Sequence, residues 1–412
     1  MSTPTSLELP DRARRTTVSC ARGAFAALEA FPASGTCELG TALLVPGYTG
    51  SKEDFISLLG PLAAAGRRVV AIDMRGQYQT PGPDDPAAYD WPALAADIAA
   101  VAKATDTTHL LGHSFGGLVT RAAVLAGYTP GSLTLMSSGP SALPGPRAED
   151  LRAMLAYLDG TPTQDLKAKI EEIWHAALEP QAIDSGVTPG ILAFLKDRML
   201  SNNPTALLTM AGNLLAAGDK TTQLATRAIP TLVLYGEDDN AWPPTVQADM
   251  ATRVGAQQFC IPEAAHNPNV EAPATTAHVL TQFWTSAEAT SAETVLQLSE
   301  PIPRTPRHRR RLAFRTVPQE VAPPTPRRSP RRKHVVVFVL GQRPAPGLVG
   351  VGALSRDILG PPQVPLQRLW RVVPAEHLPG RQVVQLDPAA VAAQHPAGGD
   401  RVDRQRERAA GV

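Results

Sequence analysis

A serine inside a glycine-flanked turn constrains the fold of this 412-residue chain more than any other feature. Residues 112–116 read Gly-His-Ser-Phe-Gly, after an apolar run typical of a buried strand at 108–111 and before a helical pattern at 117–125. The two glycines permit a tight, strained turn in which larger side chains would collide. The pattern predicts that Ser114 lies at the end of a sheet with its hydroxyl accessible, and we interpret it as a nucleophile rather than as part of a plain structural turn.

Short apolar runs alternate with helical patterns on both sides of this turn. Candidate strands cover residues 17–20, 25–30, 41–45, 67–72, 132–136, 231–235 and 258–261, and candidate helices include 94–101, 246–254 and 270–284. Such alternation predicts an α/β fold with a mostly parallel sheet and right-handed connections. Residues 141–226 show helical spacing and no strand pattern, which predicts an all-helical cap inserted into the sheet domain. The core is therefore expected at 16–140 and 227–285.

The chain changes character near residue 300. Residues 301–412 contain 20 Lys and Arg against 7 Asp and Glu, a net charge of +13, whereas residues 1–300 carry −12. The same segment holds 17 of the 40 prolines and shows one strand pattern, at 334–340. We predict that residues 286–412 form a Pro- and Arg-rich tail that is disordered or non-native.

Basic clusters at 307–311 and 327–333 leave open a tail that binds nucleic acid or another anionic surface. They lack interleaved aromatic residues, which favours a solvated tail.

The three cysteines, Cys20, Cys37 and Cys260, are widely spaced and odd in number, which is typical of reduced thiols rather than of a disulfide framework. No cluster has metal-ligand spacing, and no run resembles a signal peptide or a membrane span. These features predict a soluble, cytoplasmic protein without a metal.

A serine hydroxyl is a weak nucleophile that needs a base, a group that orients the base, and donors for an oxyanion. His266 follows the candidate strand at 258–261, and a pair of acids follows the strand at 231–235. Open α/β sheets place their sites at such strand ends. We predict that His266 is the base and Asp239 the orienting acid, with Asp238 as the alternative, because a turn after Gly236 can aim the third residue toward the histidine loop.

Two backbone N–H groups are candidates for the oxyanion hole. Phe115 follows the serine at the start of a helix, and Tyr48 lies in the turn after the strand at 41–45. Gly47 and Gly50 allow the backbone of this turn to approach a substrate. Trp242 and Trp174 are candidates for lining an acyl pocket, although packing in the core would explain either residue.

Residues 16–285 resemble the α/β-hydrolase superfamily in its capped, esterase- and lipase-like branch. The resemblance rests on five pieces in the same order: residues 45–48, 72–76, 112–117, 236–239 and 265–267. It implies an eight-stranded, mostly parallel sheet, a helical cap after the sixth strand, and no cofactor. Two positions depart from the family pattern, with Pro46 in place of a common His and Gln77-Tyr78-Gln79 in place of Gly-x-Ser.

The resemblance implies a set of three catalytic residues, Ser114, His266 and Asp239, but does not determine the substrate. Our first hypothesis is a serine hydrolase in which these residues cleave a carboxylic ester, thioester or lactone of a small to medium apolar acyl compound. The same residues would also serve acyl transfer, C–C cleavage or elimination, because a cap that excludes water favours those reactions. A non-catalytic receptor with this fold is a third hypothesis, which the complete set of three residues argues against.

Overall fold

The computed structural model describes residues 2–33 and 39–299, with side chains through residue 290. Eight strands form one sheet in the order β1-β2-β4-β3-β5-β6-β7-β8. They are β1 Ala13–Cys20, β2 Gly23–Ala30, β3 Thr41–Val45, β4 Val69–Ile72, β5 Thr107–His113, β6 Ser132–Met136, β7 Thr231–Gly236 and β8 Gln257–Ile261. β1 and β2 form an antiparallel hairpin, β2 pairs antiparallel with β4, and all other pairs are parallel.

Helices cover both faces of the sheet because the central strands are mostly apolar and are buried along their whole length. Every residue of β3, β4, β6 and β7 is buried, so these strands need cover on both sides. The helices of the sheet domain are α1 Ile56–Ala64, α2 Trp91–Ala104, α3 Phe115–Leu125, α10 Pro244–Val254, α11 Pro268–Glu271 and α12 Pro273–Ser299. A short 3₁₀ turn, Lys52–Phe55, precedes α1. This arrangement confirms the predicted α/β-hydrolase sheet.

The segment between β6 and β7 is helical. It contains α4 Gly145–Leu158, α5 Thr163–Ile173, α6 Glu179–Asp184, α7 Pro189–Ser201, α8 Pro204–Ala216 and α9 Thr221–Ala225, with a π turn at Trp174–Leu178. Side chains cap two of these helices, since Thr188 and Asn203 accept hydrogen bonds from the N–H groups of Ile191 and Ala206. The helical insert therefore follows the sixth strand.

The end of the fold differs from the sequence prediction. The predicted helix at 270–284 is two helices, because the chain breaks at Ala272 before Pro273. α12 then continues through Ser299, so the prediction that the fold ends at residue 285 is wrong. Glu288 explains the difference, because its carboxylate lies 2.6 Å from Arg67 Nη2 and 2.8 Å from His109 Nε2. The rest of the predicted tail, from residue 300, lies outside the described residues, with its strand pattern and its basic clusters.

The described residues also bear on the predictions about membrane spans and cysteines. None of the helices in the described ranges has both the length and the apolar character that a membrane crossing requires. Cys20 and Cys260 are free thiols, while Cys37 lies outside the described residues.

Candidate active site

Ser114 occupies the turn between β5 and α3 in a strained backbone conformation. Its φ is 54° and its ψ is −120°, which is unusual for a residue with a Cβ atom. The serine N–H donates to the carbonyl of Met136 on β6 at 2.9 Å, which anchors the turn to the neighbouring strand. A methyl group on Gly116 would collide with the carbonyl oxygens of Val45 and Pro46. The glycines of the motif thus allow α3 to start against the end of β3.

His266 lies in the loop after β8 and faces the serine. Its Nε2 atom is 3.0 Å from Ser114 Oγ, and its Nδ1 atom is 2.9 Å from Asp239 Oδ1. The imidazole is 7% exposed. These distances place a proton acceptor next to the hydroxyl and a carboxylate behind the acceptor, as general-base activation requires.

Asp239, rather than the alternative Asp238, reaches the histidine. Asp238 is exposed, whereas Asp239 is buried and accepts hydrogen bonds from Ala241 N–H at 2.9 Å and Gln247 Nε2 at 2.8 Å. Gln247 is a residue of α10 that sequence reasoning missed. A glutamine eight positions after an acid carries no recognisable signal, because its role depends on how α10 packs beside the turn.

Burial and charge act in opposite directions on the pKa values of this pair. Burial raises the pKa of Asp239, but the hydrogen bond and charge of His266, together with Ala241 and Gln247, outweigh burial and lower it overall. Burial lowers the pKa of His266 below its usual 6.5, and Asp239 offsets that effect only in part. At neutral pH, Asp239 is therefore a carboxylate and His266 is a neutral imidazole. In this state His266 can accept a proton.

His113, inside the serine motif, has a supporting position that the sequence did not reveal. Its Nε2 atom is 2.9 Å from the backbone carbonyl of His266. Burial, together with the nearby His266, lowers the pKa of His113 to about 4, so the ring is neutral and Nε2 donates to that carbonyl. This bond ties the histidine loop to the end of β5.

The turn after β3 lies directly against the serine. A Cβ atom on Gly47 would lie 3.0 Å from Ser114 Cβ. The Gly47 carbonyl accepts hydrogen bonds from Gly50 N–H and from Gln77 Nε2, each at 3.1 Å. Because the peptide bond is trans, the Tyr48 N–H points in the direction opposite to this carbonyl. Within the described residues, neither the Tyr48 N–H nor the Phe115 N–H donates to another group. Two unpaired donors therefore remain beside the serine.

The two predicted pocket tryptophans differ in position. The indole of Trp242 lies 6.4 Å from the His266 ring, centroid to centroid, and its Nε1 donates to the carbonyls of Ser141 and Ala142. Trp174 is fully buried in the π turn of the insert. In the described part of the chain, its indole has no ring contact or hydrogen bond with Ser114, His266 or Asp239. The structure brings only Trp242 to the site.

Among the described residues, no group of three His, Cys, Asp or Glu side chains is arranged to hold a metal ion.

Comparison with known proteins identifies the family of this chain. A sequence model described as the alpha/beta hydrolase family matches residues 42–279. "Putative carbamate hydrolase RutD" of Variovorax paradoxus (strain S110) is 42% identical over 79 residues, which are 19% of this chain and 29% of that protein. The chain thus matches less than a third of the length of this relative.

Solved structures show the same fold. A "putative aryl esterase" from Burkholderia cenocepacia superposes with a TM-score of 0.53 at 19% identity, over 67% of this chain and all of that one. The enol-lactonase from Burkholderia xenovorans LB400 gives a TM-score of 0.50 at 18% identity, over 66% of this chain and 100% of that one. The family match covers more than half of the chain, from β3 into α12. The chain therefore belongs to the alpha/beta hydrolase family.

Proposed function

We propose that this protein is a serine hydrolase that cleaves a carboxylic ester, thioester or lactone of a small to medium apolar acyl compound. The observation that carries the proposal is the continuous contact from Ser114 Oγ through the His266 ring to Asp239, with heavy-atom distances of 3.0 and 2.9 Å. The strained backbone at Ser114 supports it, because such strain concentrates at functional sites.

In the first half of the reaction, Ser114 Oγ attacks the carbonyl carbon of the substrate while His266 Nε2 takes the hydroxyl proton. Asp239 stabilises the resulting imidazolium through Nδ1. The N–H groups of Tyr48 and Phe115 donate to the oxyanion of the tetrahedral intermediate. The intermediate then collapses, the bond to the leaving group breaks, and His266 returns the proton to the leaving oxygen or sulfur.

In the second half, water attacks the acyl-enzyme. His266 takes a proton from the water, and a second tetrahedral intermediate uses the same two N–H donors. The acid product leaves when the bond to Ser114 breaks and His266 reprotonates the serine. No other group is required, since each proton taken by His266 is returned within the same half-reaction.

The similar proteins support a substrate with an acyl carbon bonded to a heteroatom. Their names describe a carbamate hydrolase, an aryl esterase and an enol-lactonase, which differ in leaving group and share attack at a carbonyl. Fold alone does not determine substrate, so the ester, thioester and lactone classes remain within one proposal.

Transfer of the acyl group to another acceptor, or C–C cleavage, is the second candidate. The low exposure of His266 and Asp239, 7% and 5%, favours it, because a site shielded from water gives an alternative acceptor an advantage. Adding an alcohol during turnover separates the candidates. Transfer yields the new ester as the main product, whereas hydrolysis yields the free acid.

A series of 4-nitrophenyl esters from acetate to octanoate tests hydrolysis directly. We expect release of 4-nitrophenol with kcat falling by roughly a million-fold in Ser114→Ala. Ser185→Ala, on an exposed turn of the insert, is the matched control and should retain wild-type rates. Unchanged turnover in Ser114→Ala would exclude the proposed nucleophile.

A further inference from the structure

An arginine at the start of the helical insert has no partner. Arg147 is half-buried in the first turn of α4 and, within the described residues, makes no hydrogen bond or ion pair. The three buried arginines of the described residues are paired: Arg67 with Glu288, Arg121 with the carbonyl of Pro140, and Arg198 with Asp54. A partly desolvated cation without a partner is costly, and burial accordingly lowers the pKa of Arg147.

The segment that leads into α4 is anchored to Trp242, whose ring lies near His266. After β6 the backbone passes over Trp242, whose Nε1 donates to the carbonyls of Ser141 and Ala142 at 3.2 and 3.3 Å. The indole lies against Gly139 on one side and 6.4 Å from the His266 ring on the other. Backbone bonds from Ala142 and Leu143 to α8 then hold this segment in place.

The charge of Arg147 reaches the catalytic groups. It contributes to lowering the pKa of His266, and the carboxylates of Asp239, Glu271 and Asp150 act on Arg147 in return. Asp239 is already bonded to His266 and Gln247, and Glu271 accepts hydrogen bonds from Ala265 N–H and the Asn267 side chain. Within the described residues, none of these three carboxylates, Asp150 included, makes a hydrogen bond or an ion pair with the guanidinium.

A bare cation near His266 opposes the imidazolium that the reaction forms. An anion held by Arg147 would remove that opposition and also supply the missing partner of the guanidinium. We propose that Arg147 binds a carboxylate at the far end of the substrate, so that the protein acts on esters, thioesters or lactones whose acyl chain ends in an acid. This inference rests on the proposed function and narrows its substrate class.

The test compares two substrates that differ only in charge. Mono-4-nitrophenyl adipate carries a free carboxylate, and methyl 4-nitrophenyl adipate carries the neutral methyl ester at the same position. We expect wild-type kcat/KM to be at least about tenfold higher for the free acid, as one bidentate arginine–carboxylate contact would give. Equal values, or a preference for the methyl ester, would overturn the proposal.

Variants of Arg147 test whether its side chain causes the preference for the free acid over the methyl ester. Arg147→Ala should abolish the preference by lowering kcat/KM for the acid relative to the methyl ester, and Arg147→Glu should reverse it. Arg152→Ala, an exposed position on the same helix, is the matched control and should keep the wild-type ratio. A ratio that survives in Arg147→Ala would contradict the assignment.

Binding without turnover keeps this inference distinct from the proposed function. Free adipate should slow labelling of Ser114 by a fluorophosphonate in the wild type, and about tenfold more adipate should be needed in Arg147→Ala. Labelling without protection would overturn the carboxylate site and leave the reactive serine standing. Failure of wild type to hydrolyse either ester, with adipate still bound in a calorimetric titration, would reject the proposed function alone.

Discussion

Two buried aspartates near the nucleophile have opposite surroundings. Asp239 and Asp54 both have fully buried side chains. Asp239 accepts from Ala241 N–H, the Gln247 amide and His266, and no Lys or Arg of the described residues makes an ion pair with it. Asp54 is paired with the guanidinium of Arg198 at 2.7 Å, which links the 3₁₀ turn after the Tyr48 segment to α7 of the insert. The contrast teaches that an uncompensated carboxylate can stabilise a transient imidazolium, whereas a paired one holds two parts of the chain together.

Removing the charge of Asp239 is expected to have the largest effect. Asp239→Asn keeps the size of the side chain but cannot stabilise the imidazolium, and its amide favours the wrong tautomer of His266. We expect kcat to fall by about ten-thousandfold, by analogy with the corresponding change in a serine protease. Ester hydrolysis measures the rate, and a normal circular dichroism spectrum shows that the variant is folded. A fall in kcat of less than tenfold would contradict a catalytic role for Asp239, because the residue would then behave as a structural acid.

Removing the charge of Asp54 is expected to affect stability instead. Asp54→Asn leaves Arg198 as an unpaired buried cation, and we expect the free energy of unfolding to fall by about 3 kcal/mol. Urea denaturation measures this loss. The double variant Asp54→Leu with Arg198→Met should recover most of it, since an apolar pair requires no charge compensation. If Asp54→Asn instead removed activity without changing stability, the assignment of Asp54 as structural would be wrong.

Gln247 separates the two aspartates further, because it donates a hydrogen bond to Asp239 and none to Asp54. Its Nε2 atom donates to Asp239 Oδ2 at 2.8 Å and to the carbonyl of Trp242 at 2.9 Å. Gln247→Leu removes one donor from the carboxylate, and we expect kcat to fall about tenfold. Gln223→Leu, at an exposed position on α9, serves as the control. Equal rates in both variants would show that the position of Asp239 does not depend on this hydrogen bond.

The pH dependence gives the smallest expected effect. Burial lowers the pKa of His266, so the neutral base persists below pH 6.5, and kcat/KM for a neutral ester should decline only as pH falls further. Asp239 raises this pKa, so Asp239→Asn should move the acid limb of its residual activity to still lower pH. Asp54→Asn should leave the limb unchanged. An acid limb above pH 6.5 in the wild type would contradict the described environment of His266.

The sequence predicted the parts of the site that local patterns encode. Ser114 is set between two glycines, and Asp239 and His266 each follow a strand whose apolar run is visible in the chain. Their proximity follows from the parallel sheet, because the carboxyl ends of its strands meet at one edge. The family match confirms the fold that these patterns indicated.

The remaining features depend on contacts between distant residues. Arg198 and Asp54 are 144 positions apart, and Arg67 and Glu288 are 221 positions apart. Neither residue of such a pair has a neighbour in the sequence that reveals its partner. For the same reason, the end of α12 resembles the start of the tail in the sequence, and no sequence pattern marks Arg147 as an arginine without a partner among the described residues.

The most direct test of the account is labelling with a fluorophosphonate, followed by intact mass measurement, on wild type and on Ser114→Ala. One covalent adduct is expected on the wild type and none on the variant, because only a hydroxyl activated by His266 reacts readily. A folded wild-type protein that gains no adduct, or a Ser114→Ala variant that gains one, would contradict the claim that Ser114 is the nucleophile.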